Sequence, residues 1–169
     1  MKKFRTIFAA CVLFVGATSF VNAQSKVAHI ASQELVEAMP SFKNAKSEIE
    51  KLNKTYEGEI KNMILELQNT MKKYQSEAST KTEEENAKRA QDIQATEKSI
   101  GDYKQNALQD LQKKEVELMK PIYEKARTSI QKVARAQGYE YVLDSTTGTG
   151  VIMADGKDLM ADVKKDLGI

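Results

Sequence analysis

Residues 41–78 read SFKNAKSEIEKLNKTYEGEIKNMILELQNTMKKYQSEA. Apolar or small side chains recur at Phe42, Ala45, Ile49, Leu52, Tyr56, Ile60, Met63, Leu67, Met71, Tyr74 and Ala78. The ten steps between them are each three or four residues and average 3.6, the period of a helix with one apolar face. From Phe42 to Tyr56 threes and fours alternate, which winds a left-handed coil. Beyond Tyr56 fours predominate, and the winding relaxes toward straight. No proline falls between Ser41 and Lys120, and the glycines there are Gly58 and Gly101. A long amphipathic helix is expected.

The stripe thins C-terminal to this helix. Between Gln75 and Ser99 the apolar residues are Ala78, Ala87, Ala90, Ile93 and Ala95. Ser79-Thr80-Lys81-Thr82 offers hydroxyl caps, and Glu83, Glu84 and Glu85 suit the positive end of a new helix. A turn near 79–82 and a second helix over 83–136 follow; one continuous helix is the alternative. The second stripe strengthens through Ile100, Tyr103, Ala107, Leu111, Leu118, Ile122, Ala126, Ile130 and Val133. Pro121 removes a backbone donor within it and should bend it, and Gly138 supplies a stop. At 1.5 Å per residue such arms reach roughly 60 and 80 Å, lengths that no compact domain of this size needs.

The flanks change character. Lys26-Val-Ala-His-Ile-Ala31 reads as a strand, Ser32 as an N-cap, and Gln33–Met39 as a short helix closed by Pro40. After Gly138, Tyr139–Leu143 alternates like a strand and Val151–Ala154 reads as another. Ser145-Thr-Thr-Gly-Thr-Gly150 would join them as a hairpin. Asp158 opens a last helix with Leu159, Val163 and Leu167 on one face and Gly168 beyond it. These pieces, about sixty residues, bury too little surface to stand alone, and three strands leave two open edges. Strands pooled from several copies would solve both problems.

Met1–Ala23 has a basic start at Lys2, Lys3 and Arg5, an apolar run Ile7–Val15, and small residues before a cut after Ala23. This reads as a secretory signal peptide rather than a membrane anchor, because Gly16, Thr18 and Ser19 break the run too early. The whole chain has 26 Lys+Arg against 24 Asp+Glu; without the leader's three bases the balance is −1. The leader also carries Cys11, the only cysteine. The remainder is exported, nearly neutral and unable to form a disulfide, and it lacks the basic excess of a nucleic-acid binder. His29 is the sole histidine, and with no cysteine beyond the leader a zinc site is not expected, nor any other metal or cofactor. Gly148-Thr-Gly150 lacks the third glycine and helix of a dinucleotide loop, and Asp155-Gly-Lys-Asp158 lacks the ligand spacing of a calcium loop. No catalytic constellation emerges. An enzyme is not expected.

Lys26-Val-Ala-His-Ile-Ala-Ser-Gln-Glu-Leu-Val-Glu-Ala-Met-Pro40 with Phe42-Lys43 resembles the opening of the Skp/OmpH family of periplasmic chaperones. Its closing half is similar to Met119-Lys-Pro-Ile-Tyr-Glu-Lys-Ala126, Gly138-Tyr139, Tyr141-Val-Leu-Asp144, Asp158-Leu159, Val163 and Leu167-Gly168. Ala31 stands where the family commonly has an acid, and Met160 where it often has threonine. The resemblance implies a mainly α fold with a small β component (α+β): a coiled-coil-like helical hairpin, or tentacle, projecting from a small β-barrel-like trimerisation body. It further implies a periplasmic homotrimer that holds unfolded outer-membrane proteins without ATP. A structural or scaffolding coiled coil of the envelope is the alternative. The division is then 1–23 leader, 24–40 body, 41–120 arm, and 121–169 arm base and body.

Candidate client contacts are Leu65, Met63, Met71, Tyr74, Ile93, Tyr103, Val116 and Met119. Leu65 lies off the seam, and Val116, Met119 and Tyr123 form a second face that could instead anchor the arm to the body. By their periodicity Met63, Met71, Tyr74 and Tyr103 read as seam packing ahead of client contact. Candidate oligomerisation residues are Val27, Ile30, Tyr139, Tyr141, Leu143, Val151 and Ile152. Favourable i,i+4 pairs, Glu50/Lys54, Glu57/Lys61, Glu84/Lys88, Glu85/Arg89 and Asp110/Lys114, mark a solvated face. Seven bases balance seven acids from Lys72 to Lys104, so contact with a membrane surface or lipopolysaccharide has little beyond Lys88-Arg89 to rest on.

Overall fold

The computed structural model describes residues 26–169, and the leader and its cleavage position lie outside them. The order is β1 (Val27–Ile30), α1 (Ser32–Ala38), α2 (Pro40–Glu77), a 3-10 turn (Ala78–Thr80), α3 (Glu83–Ala136), β2 (Tyr141–Asp144), β3 (Lys157–Asp158) and α4 (Met160–Leu167). The fold is the expected one, a long helical hairpin on a small α/β base.

Helices α2 and α3 have 38 and 54 residues, roughly 57 and 81 Å of rise. Pro40 begins α2 rather than ending α1: it sits at the first helical position, where its missing N–H costs no hydrogen bond. The same ring forces the preceding Met39 into extended backbone (φ −68°, ψ 130°), which separates the two helices. At the tip, Thr82 Oγ1 accepts the Glu85 N–H (3.1 Å) and the Glu85 carboxylate accepts the Thr82 N–H (3.0 Å), a reciprocal cap. Asn86 Nδ2 donates to the Ala78 carbonyl (2.9 Å), stitching the turn to the new helix. The expected break at 79–82 is therefore real, and α3 then runs on through Pro121.

Side chains from β1, α1, the foot of α2, the base of α3 and α4 share one core. Ile30, Leu35, Leu159 and Val163 are its largest fully buried members. Leu159 ends outside α4, as the residue before Met160, while Asp158 Oδ1 accepts the Met160 N–H (2.8 Å) and starts the helix from one residue further back. Ser32 is likewise inside α1 and does not cap it; its Oγ donates to Asp144 (2.5 Å) and so ties α1 to β2.

The sheet departs from expectation. Its order is β2-β1-β3, with both neighbours parallel to β1. No hairpin joins β2 to a strand at Val151–Ala154, and that segment is not a strand. A hairpin requires antiparallel neighbours, whereas two parallel partners of β1 force residues 145–156 to run back along the sheet. Strand β2 begins at Tyr141, not Tyr139, because the Glu140 and Tyr141 amides both donate to the Lys26 carbonyl and set the register there.

Candidate functional site

Two surfaces are candidates: the arm above its base and the uncovered face of the sheet. Along the arm, helix periodicity places one side chain per turn at the seam, but few are fully buried. Ala45, Ile100 and Ala107 are the fully buried seam residues nearest the base; from there to the tip the seam is only half-buried. Polar clasps supply the rest. Tyr56 Oη donates to Asp110 (2.7 Å), Tyr103 Oη donates to Glu59, and the two rings meet edge-to-face at 6.1 Å. Donating to the Glu59 carboxylate pushes the Tyr103 hydroxyl up to about 12, and donating to Asp110 raises Tyr56. Near the tip, Arg89 pairs with Glu77 (2.6 Å) and stacks over Tyr74 (4.6 Å to the ring centroid).

The five expected i,i+4 ion pairs do not form among the described residues. Lys81–Glu85 and Lys98–Asp102 do, and Lys114–Glu48 and Arg89–Glu77 cross the hairpin instead. Exposed pairs gain little against the entropy of fixing two long side chains, so the charge pattern alone does not decide them. Arg89 is thus committed within the arm, which leaves Lys88 as the free half of the basic pair at the tip.

The expected client-contact residues divide into two groups. Leu65 (54% exposed), Met71 and Val116 (64%) present apolar surface to solvent. Met63, Tyr74, Ile93 and Tyr103 are half-buried in the seam, and Met119 packs against the base core. Sequence reasoning missed Leu108, which is 61% exposed on α3 one position beyond the buried Ala107. Its signal was the one used for Leu65, an apolar residue off the stripe. Around the helix axis Leu108, Val116, Met119 and Tyr123 fall within about 80° of one another, a second apolar line descending toward the base.

At the base, Ala28 and Ile30 are buried while Val27 and His29 alternate to the other face. Register pairs Val27 with Tyr141 and His29 with Leu143, so these four side chains share the face away from the helices. Tyr141 and Leu143 are exposed there, and His29 Nδ1 lies 3.0 Å from Ser145 Oγ. Ile30 points inward and is 2% exposed, part of the protomer's own core. Tyr139 is half-buried against that core and Val151 is half-buried. Ile152 is entirely exposed, as is most of Met153, a neighbour that sequence reasoning read only as part of a strand.

One anchor organises this end. Burial pushes the Asp144 carboxyl up, but hydrogen bonds from the Ser32 and Thr146 hydroxyls and amides outweigh it and bring the group down to about 2. Among the described residues no helix is long and apolar enough to cross a membrane.

The comparisons agree with this architecture. Residues 26–167 match the family described as outer membrane protein (OmpH-like). The chain is 26% identical over 155 residues to the "Chaperone protein Skp" of Pectobacterium atrosepticum, covering 92% of this chain and 93% of that one. It is 26% identical over 160 residues to the protein of the same name from Yersinia enterocolitica, with 94% and 95% covered. In three dimensions it is similar to the crystal structure of an OmpH-like protein from Caulobacter crescentus. That match has a TM-score of 0.76 at 19% identity and covers 88% of this chain and 87% of the other.

Proposed function

The chain belongs to the OmpH-like family of outer membrane proteins, and from that premise we propose that it is a holdase chaperone. It binds unfolded outer-membrane proteins between its arms, without nucleotide, and keeps them from aggregating. The observation that carries the reading is the arm itself. Two helices far longer than any local core requires present separated apolar spots, Leu65, Met71, Leu108 and Val116, on an otherwise charged surface. Many weak, shape-tolerant contacts of this kind hold a client without fixing its structure, and they release it without an energy source. The half-buried seam offers Met63, Tyr74, Ile93 and Tyr103 as further contacts once the helices part, and Met119 anchors the arm at its base.

Residues 1–23 act as an export signal cut after Ala23, and the working compartment is the periplasm. The relatives' name, a chaperone, accords with a protein that performs no catalysis. Contact with a membrane surface or lipopolysaccharide is weak, since the tip's Arg89 is occupied. Three copies share the body, the number following from the family resemblance. Support for sharing comes from the sheet: parallel sheets are covered on both faces, yet on the face that Val27 and His29 share with them, Tyr141 and Leu143 stand exposed.

The test is dilution of a urea-denatured outer-membrane β-barrel into buffer with the purified 24–169 chain. Light scattering should be suppressed at a threefold molar excess of protomer. Unchanged aggregation refutes the holdase reading.

A further inference from the structure

The helices cover one face of the sheet, where Ala28 and Ile30 are buried. The other face carries the chain's only histidine, on the central strand. His29 is half-buried there, two residues after Val27 and in register with Leu143 of β2. Tyr141 and Leu143, both exposed, complete a patch that is otherwise apolar or aromatic.

The groups around the ring decide what it can do. On the β2 side the Ser145 hydroxyl lies 3.0 Å from Nδ1. A hydroxyl both donates and accepts, so it satisfies the neutral and the protonated ring alike and selects neither. Gly156 passes close by: a Cβ built on it would lie 4.0 Å from His29 Cδ2. On the β3 side the register places Asp158 beside His29, but its Oδ1 already accepts the Met160 N–H (2.8 Å) and starts α4. The other charges on these strands are engaged elsewhere. Lys26 pairs with Glu140, and Lys157, in register with inward-facing Ala28, pairs with Asp162 (2.9 Å). Histidine is the side chain whose ordinary titration falls between pH 5 and 8. Mild acid therefore puts a positive charge into this patch at one known atom pair, the imidazole nitrogens of His29.

We propose that His29 makes the shared body acid-sensitive: copies associate with the imidazole neutral, and its protonation drives them apart. This rests on the reading that copies share a body, and it adds the regulation of that body. Covering the patch takes the ring out of water, and a charge is costly to bury when the carboxylate nearby is already committed. Rotational symmetry multiplies the cost, because every copy brings the same charge to the same shared face. Dissociation then takes up one proton per copy. Association is whole above the ordinary imidazole value of about 6.5 and is lost as pH falls below it. Between pH 7.5 and 5.5 the loss is about tenfold per copy, or about a thousandfold for three copies. Arms enclose a client only while their bases are joined, so acid also loosens the hold on clients.

The test uses the 24–169 chain at pH 7.5, 6.5 and 5.5 and constant ionic strength, in the urea concentration that half-dissociates it at pH 7.5. Sedimentation equilibrium reads the dissociation constant. For wild type it should rise about a thousandfold from pH 7.5 to 5.5. The rise should vanish in His29→Gln, which keeps a polar partner for Ser145, and in His29→Ile, which makes the patch wholly apolar; the two variants cover for each other if one does not fold. Association that ignores pH overturns the proposal while the shared body stands. Association that strengthens in acid also overturns it, by making His29 and Asp158 an ion pair within the assembly. A rise that persists in the folded variants does the same, by assigning the proton uptake to other groups. If the chain is a monomer at micromolar concentration in plain buffer at pH 7.5, the shared body falls, and the proposal with it.

Discussion

Gly58 and Gly101 are interior to α2 and α3, and they sit at one level of the arm, beside the Glu59–Tyr103 clasp. Neither has positive φ, and a Cβ built on either meets nothing within 4 Å. No turn, close approach or packing contact therefore calls for glycine at either place. Replacing glycine by alanine inside a helix gains about 1 kcal/mol, mainly because glycine has more backbone freedom to lose on folding. The two sites share no contact, so the gains should add to about 2 kcal/mol. For a chain of this size that is a rise in Tm of roughly 4–8 °C. The measurement is a thermal melt followed at 222 nm for wild type, Gly58→Ala, Gly101→Ala and the double variant, all at one protomer concentration because assembly contributes. Amide exchange over 56–62 and 99–105 should slow in parallel. A Tm that stays level or falls would refute the reasoning, and would mean that the arm uses a backbone geometry at this level which alanine cannot take.

Three further outcomes are expected. Asp144, at about 2 in the folded chain against 3.8 otherwise, contributes stability that is present above pH 4 and lost as pH falls through about 2. Asp144→Asn should accordingly be less stable at pH 7, yet lose less between pH 4 and 2, as read from urea midpoints; parallel losses would contradict the assignment. Tyr103, pushed up to about 12, should stay un-ionised at pH 11 in an absorbance titration at 295 nm and return toward 10 in Glu59→Ala. Because its folded value is raised, its contribution is whole below pH 10 and disappears as pH climbs past about 12. Finally, Leu65→Asp, Leu108→Asp and Val116→Asp together should leave Tm within a few degrees, since all three are exposed, while reducing suppression of client aggregation several-fold. Full retention of holding would remove these spots from the client surface.

The arm was legible because everything that defines it is local. The 3.6-residue period and the Thr82/Glu85 cap act within a turn or two of the chain, and they place α2 and α3 within a residue or so of the observed limits, although Pro40 proved to open α2 rather than to close α1. The seam was legible for the same reason, as a stripe. Its depth was not: burial at Ile100 and half-burial at Met63 or Ile93 depend on what the opposite helix offers. Leu108 escaped notice beside Ala107, since adjacent apolar residues do not announce which of them turns outward.

The sheet was the harder part. Val27–Ile30 reads as a strand, but only packing shows that Ile30 is an inward residue and that Val27 and His29 share the other face. Val151–Ala154 has the composition of a strand and is none within the chain, whereas polar Lys157–Asp158 pairs with β1. Strand pairing is settled by non-local hydrogen-bonding partners, and composition cannot supply them. The order of residues therefore dictates the two-helix arm, its turn and its charge-covered surface, because helix hydrogen bonds close within four residues. Which strand edge stays free, and which apolar face stays bare for another copy, is decided only when segments more than a hundred residues apart meet at the base.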